Sequence, residues 1–554
     1  MIYDDNKKKS SLDRELFKSP PAEYRAAPFW AWNCDLDRDE LLRQIDIFKE
    51  MGLGGFHMHV RTGMSTEYLS DEFMSLIKAC TDHAKKNDML AWLYDEDRWP
   101  SGAAGGIVTK DHSLRQRYLR FTPDAERSLG EDDILLATFD IVLDESGALL
   151  SYHLLGEGEA PKGNSWRVIR EVAGNTPWYN GQAYLDTLNP KATERFIDVT
   201  YTAYEKAVGD EFGKTVHAMF TDEPQLSRKS CLPYSNSKRE VTLPWTDDFD
   251  ETYSAKYGES ILPHLPELVW DLPDGAPSLA RYRYHDHVCD RFVEAFADRC
   301  GKWCEGHGIS LTGHMMAEST LDDQTSYAGE VMRAYRSFGI PGIDMLCGFF
   351  EFTTAKQCQS AVRQYGRAGM LSELYGVTGW DFDFRGHKLH GDWQAALGVT
   401  VRVPHLSWVS MHGNAKRDYP ASIHYQSSWH KEYSYVEDHF ARLNTALTRG
   451  KPIVKVGVIH PVESYWLHYG PEEQTSLVRS GLEANFRNIT QWLLRGSIDF
   501  DFISEALLPS LCKEASAPLT VGEMQYDAII VPECETLRST TLERLEAFKA
   551  AGGK

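Results

Sequence analysis

The sequence predicts an α/β chain built on a (β/α)8 TIM barrel, and three observations carry that expectation. Short apolar runs alternate with amphipathic helical stretches over the first 450 residues. Many of those runs end in polar side chains, namely Asn33, His59, Asp95, Glu223, His314, Glu373 and His412. A closed barrel gathers all its strand ends around one pocket, whereas an open sheet would spread them out. The pattern then changes after Gly450, where a second α/β rhythm begins.

The elements follow in order. Residues 28–33 read as strand one, 55–60 as strand two and 90–95 as strand three, with helices predicted over 37–51 and 70–87. Strand four is placed at 217–221, five at 310–314, six at 343–346, seven at 370–374 and eight at 405–410. Between strands three and four the rhythm breaks. Residues 134–143 and 148–155 alternate like antiparallel strands around a turn at Glu145-Ser146-Gly147, so 117–185 is expected to be a β-rich insertion over the barrel mouth. Its tail, Trp178-Tyr179-Asn180, is placed to reach the site. Asn189-Pro190 then opens the returning helix, since proline suits a first turn. Residues 226–274 read as a loop-and-helix elaboration of the fourth unit.

Past 450, strands are expected at 454–460, 500–503 and 526–531, and helices at 475–494 and 541–551. That is the opening of a doubly wound domain, which stops where a further strand should begin. The expected domains are therefore 1–450, a catalytic barrel, and 451–554, a truncated α/β domain.

Composition narrows the function classes. At 554 residues the chain has room for a large catalytic domain plus another, and its 42% hydrophobic and 25% charged content is that of a globular protein. A formal charge of −22 excludes electrostatic attraction to nucleic acid or an anionic membrane. The 15 Trp and 26 Tyr suit a carbohydrate site, where flat rings pack on sugar faces, although most such rings are core. Ten scattered cysteines and a polar, lysine-rich stretch from Met1 to Ser11 give no disulfide framework and no export signal, so a cytoplasmic location is expected. Cys300 and Cys304 lack two further close ligands, which argues against zinc there.

Two glutamates carry the chemistry. Thr221-Asp222-Glu223-Pro224 and Ser372-Glu373-Leu374-Tyr375-Gly376 each follow a buried apolar run. Two carboxylates at one barrel rim are what glycosidic hydrolysis needs, one holding a proton and one ionised. Glu223 is read as the acid and Glu373 as base or nucleophile, against bland readings as a helix-start acid and a rim ion pair. Glu318, four residues past strand five, competes with Glu373 as base and is also a candidate metal ligand. Asp95, Glu96 and Asp97 form an acidic cluster suited to sugar hydroxyls or calcium, or to plain loop hydrogen bonds. His57 and His59 share one side of a strand; their spacing suits a metal, but substrate contact is favoured because no third ligand accompanies them. His314 and His412 are read the same way, and Asn33, Trp32, Trp99 and Trp380 as substrate contacts. Arg61, Asp344 and Arg417 are weaker rim candidates.

Taken together, Phe29-Trp30-Ala31-Trp32-Asn33, Tyr94-Asp95-Glu96-Asp97 with Trp99-Pro100-Ser101-Gly102, Thr221 to Pro224, and His405 with Lys416 to Pro420 resemble the α-L-rhamnosidase-like glycoside hydrolases of family 106. The two glutamates are also similar to the catalytic pair of the barrel clan that includes the β-galactosidases. Residues 451–554 are similar to the flavodoxin-like domain that follows the barrel in some of those enzymes. The resemblance implies an exo-acting glycosidase in carbohydrate breakdown, with α-L-rhamnose the leading sugar. It leaves open an inverting mechanism with calcium or a retaining one without metal. An oligosaccharide or glycoside is the expected partner, and a homo-oligomer stays open. The rival reading is a non-catalytic carbohydrate-binding or assembly protein on the same scaffold.

Overall fold

The computed structural model describes every residue except 1, 4, 5, 7, 8, 10 and 157. Those N-terminal positions fall in the stretch read above as lacking an export signal, so part of that stretch lies outside the described residues. Eight parallel strands form the barrel: β1 (Phe29–Trp32), β2 (Gly55–Val60), β3 (Leu90–Tyr94), β4 (Ala218–Asp222), β5 (Ser310–His314), β6 (Ile340–Met345), β7 (Leu371–Leu374) and β8 (Val401–Pro404). They neighbour one another in chain order, and Ser407–Trp408, just beyond β8, pairs with β1. The ring therefore closes through one bent eighth strand.

Alternation along each strand separates two packing layers. Phe29, Ala31, Trp92, Tyr94, Phe220 and Val403 fill the barrel interior. Trp30, Trp32, Phe56, Met58, Leu93 and Met219 pack outward in the main core. The helices between strands start where side-chain caps satisfy their free N–H groups: Asp37 accepts from Glu40, Ser70 from Phe73 and Asn189 from Lys191.

Beside the barrel lies a five-stranded antiparallel sheet, ordered 149–154, 134–143, 164–172, 117–122 and 241–245. Its last strand comes from beyond β4, in the stretch expected to be loop and helix. Val241-Thr242-Leu243-Pro244-Trp245 gives few strand signals because it carries an internal proline, which an edge strand tolerates. Near the C-terminus, Phe500–Ile503, Val456–Ile459 and Ala528–Ile530 form a three-stranded parallel sheet. Charge pairs dock it on the barrel helices: Lys356 Nζ lies 2.8 Å from Asp499, and Arg363 reaches Asp501 at 2.9 Å. Among the described residues, no helix is long and apolar enough to cross a membrane.

Candidate active site

The C-terminal ends of β4, β5, β6 and β7 bring five carboxylates together around His314. Asp222, the last residue of β4, is the hub. Its Oδ1 lies 3.1 Å from His314 Nε2, and its Oδ2 accepts the Tyr94 hydroxyl at 2.6 Å. His314 Nε2 also lies 3.8 Å from Glu373 Oε2, and His405 Nε2 lies 3.7 Å from the other Glu373 oxygen. Ligand atoms of Asp222, His314 and Glu373 sit within 4.8 Å of one another, and so do those of Glu223, His314 and Asp344. Glu223 and Glu373 thus both approach the imidazole of His314.

The backbone holds Glu223 in an unusual state. Its φ is +48°, in the left-handed region that non-glycine residues seldom occupy outside functional sites. Ser101 clamps the residue before it: the Ser101 amide donates to Asp222 O at 2.8 Å, and the Asp222 amide donates to Ser101 Oγ at 2.7 Å. The same hydroxyl donates to Asp95 at 2.6 Å. The Asp95 to Ser101 turn therefore fixes how β4 ends.

Electrostatics follow from many acids gathered around one histidine, with the Arg61 guanidinium, paired to Asp418, acting on Glu373 from further off. Burial, then the adjacent Asp222 charge, pushes Glu223 up to about 8. Burial and Asp344 push Glu373 well above the carboxylate range, against the pull of His314. Glu318 rises to about 7 and Asp344 to about 6, both mainly through burial. Burial alone would lower His314, but the Asp222 contact, Asp344 and Glu373 hold it well above its ordinary value. Its neighbours thus favour the imidazolium form. Asp344 Oδ1 is buried with no hydrogen-bond partner among the described residues.

The other sequence candidates divide by depth. Glu318 is buried below the pocket edge and accepts the Tyr335 hydroxyl at 2.5 Å and the Met315 amide at 3.1 Å. His57 and His59 do line the interior, but burial drives both to the neutral form, His57 to about 3. His57 Nδ1 is bonded to Ala27 O at 2.9 Å, while His59 Nε2 lies 4.0 Å from Asp222. Trp99 stands at the mouth under the Arg61 guanidinium, 4.7 Å from its ring centre, and Trp380 is 45% exposed. His412 is exposed.

Three candidates need correction. Trp32 points out of the barrel, packed on Trp30 and Phe73 at 5.7 and 5.5 Å, because alternation puts it in the layer with Trp30. Asn33 is buried and its amide exchanges two hydrogen bonds with the Ser410 backbone, at 2.9 and 3.0 Å, where it ties strand one to the segment after strand eight. Glu96 accepts four loop amides, from Asp97, Gly102, Ala104 and Gly105, at 2.6–2.9 Å. Its carboxylate has no free lone pair for a sugar. Asp95 is similarly taken by Ser101 and by Tyr201 at 2.9 Å. Asp222, quoted above only within the Thr221 to Pro224 motif, and His405, quoted only within the resemblance, were given no role at the site from the sequence. Both were visible only as polar residues beside predicted strand ends.

The donor set at the centre does not match the all-oxygen shell of calcium. Calcium takes six to eight oxygens, whereas each of the two ligand groups here offers two carboxylates and the His314 nitrogen. A cleft of about 970 Å³ lies at the opposite end of the barrel by Met370 and Thr400 and takes no part in the mouth.

Fold and site define a (β/α)8 barrel with an acid-lined mouth, and the comparisons agree on the fold. No protein-family model matches the chain. A curated protein of Formosa agariphila, provisionally named a β-glucuronidase, is 20% identical over 616 aligned positions and covers 97% of this chain. The chain spans about half the length of that relative, 49%. Among solved structures, a rhamnosidase from Novosphingobium sp. PP1Y superposes with a TM-score of 0.69 at 13% identity, covering 98% of this chain and 69% of its own. A GH42 β-galactosidase from G. stearothermophilus gives 0.55 at 13% identity, covering 96% and 72%. The resemblance drawn from the strand-end motifs is thus carried by the fold.

Proposed function

We propose that the chain is a glycoside hydrolase that removes a terminal sugar, with α-L-rhamnose the sugar we favour. One observation carries this reading: Glu223 and Glu373, at the ends of β4 and β7, both stand against the same His314. Glu223, ionising near 8, holds a proton at neutral pH that it can give to the glycosidic oxygen as the C–O bond breaks. Glu373, in its ionised state, either takes a proton from the attacking water or bonds the anomeric carbon itself. His314 beside it favours that ionised state, against burial and the neighbouring Asp344, which favour the protonated one. The names of the rhamnosidase and β-galactosidase neighbours support the reaction class, and the rhamnosidase supports the choice of sugar. We read 1–450 as the catalytic barrel, 117–185 as an insertion narrowing its mouth for exo action, and 451–554 as a flavodoxin-like domain.

Hydrolysis of p-nitrophenyl α-L-rhamnoside and p-nitrophenyl β-D-galactoside tests this. Glu223→Gln and Glu373→Gln should each lower kcat by about 10²–10⁴-fold, the usual worth of a positioned acid or base. Turnover within a few-fold of the parent in both variants would remove the pair from the chemistry.

A further inference from the structure

Beside the Glu223 loop lies a second, smaller cavity of 260 Å³ that the catalytic reading does not use. Sites for drug-sized ligands run to about 300–1,000 Å³, so this one suits a single ring. Tyr179 and Tyr184 stack at 5.6 Å and give it a flat aromatic wall. Around that wall stand Gln116, Gln225, Ser227 and Arg228. Ser227 brings a buried hydroxyl with no hydrogen-bond partner among the described residues. Arg228 packs its guanidinium 5.2 Å from the Tyr327 ring centre, and no carboxylate among the described residues pairs with it.

We propose that this cavity is a subsite for one further pyranose unit of the substrate. The aromatic wall suits the C–H face of a sugar ring, and the unspent amides, hydroxyl and guanidinium suit its hydroxyls. Its connection to the catalytic loop is direct. Tyr184 donates its hydroxyl to Ser101 O at 2.8 Å and accepts the Gln225 amide at 3.4 Å, and Gln225 stands two residues from Glu223. The inference rests on the glycosidase reading and narrows its substrate class to a glycan of two or more units rather than a simple aryl glycoside.

The test compares kcat/KM for p-nitrophenyl α-L-rhamnoside or β-D-galactoside with that for an unmodified trisaccharide ending in the sugar released. The parent and the Gln116→Ala/Arg228→Ala double variant are assayed side by side. The proposal predicts that the ratio of trisaccharide to aryl glycoside falls about tenfold in the variant, the worth of one lost charged hydrogen bond. An unchanged ratio, with both substrates cleaved by the parent, overturns the subsite and leaves the glycosidase reading intact. A parent that cleaves neither substrate overturns the glycosidase reading and the subsite with it.

Discussion

Two buried charge clusters in this molecule show opposite logic. Around Arg333, the carboxylates of Asp286, Asp290, Glu330 and Glu463 meet the cations of Arg333, Arg538 and Lys256. Burial would raise Asp286 and Asp290, yet the neighbouring Arg333 charge holds both below the ordinary range. At the barrel mouth, Asp222, Glu223, Glu318, Asp344 and Glu373 gather around the imidazole of His314. There burial wins, and Glu223, Glu318, Asp344 and Glu373 are all displaced upward. The cation-rich cluster ties the C-terminal segment to the barrel, although burial still raises Glu463 within it. In the cation-poor one Glu223 retains its proton at neutral pH, which is the condition for acid catalysis.

The sharpest way to break this contrast is to unbalance the first cluster. Arg333→Met leaves several buried carboxylates short of a partner and should cost about 3–5 kcal/mol, read as a lowered Tm. A loss below about 1 kcal/mol would mean that solvent already screens the cluster.

Relieving the second cluster should do the reverse. Glu223 keeps its proton up to about 8 in the fold, against an ordinary value of 4.5. Its stability contribution is therefore intact below 4.5 and is lost as pH rises through 8. Glu223→Gln should stabilise the protein by about 1–3 kcal/mol at pH 8 and have little effect at pH 4.5, measured by thermal unfolding at both. Equal shifts at the two pH values would deny Glu223 its raised pKa.

The smallest effect concerns the clamp. Ser101→Ala removes the hydroxyl that receives the Asp222 amide and anchors Asp95. It should lower kcat about tenfold while KM moves less than about twofold, because the lost contact orients the acid without touching substrate. Parallel changes in both constants would assign Ser101 to substrate binding.

How much of this was legible in the sequence depended on the kind of signal. Strands two and five, 55–60 and 310–314, lie where their apolar runs place them, because apolar residues bounded by glycine and polar residues mark a buried strand. β6 starts three residues earlier than read, since Ile340-Pro341-Gly342 carries turn residues inside a strand. The eighth strand was read as 405–410, although it begins with Val401-Arg402-Val403, whose arginine turns to Glu437 and disguises the run. The rim glutamates could be found because a carboxylate just after an apolar strand is locally odd. The consumption of Glu96 by four amides, and the facing of Trp32 away from the mouth, depend on folded geometry that composition does not encode. His405 becomes a partner of Glu373 only once β8 is in register with β7.

The most direct measurement is a titration of the glutamate side-chain carboxyls by ¹³C NMR, in the parent and in Glu223→Gln. The account predicts a carboxyl in the parent that ionises near pH 8 and is absent from the variant. If every glutamate of the parent ionises below about pH 5, close to its unperturbed value, the mouth holds no proton for a leaving group and the proposed acid is wrong.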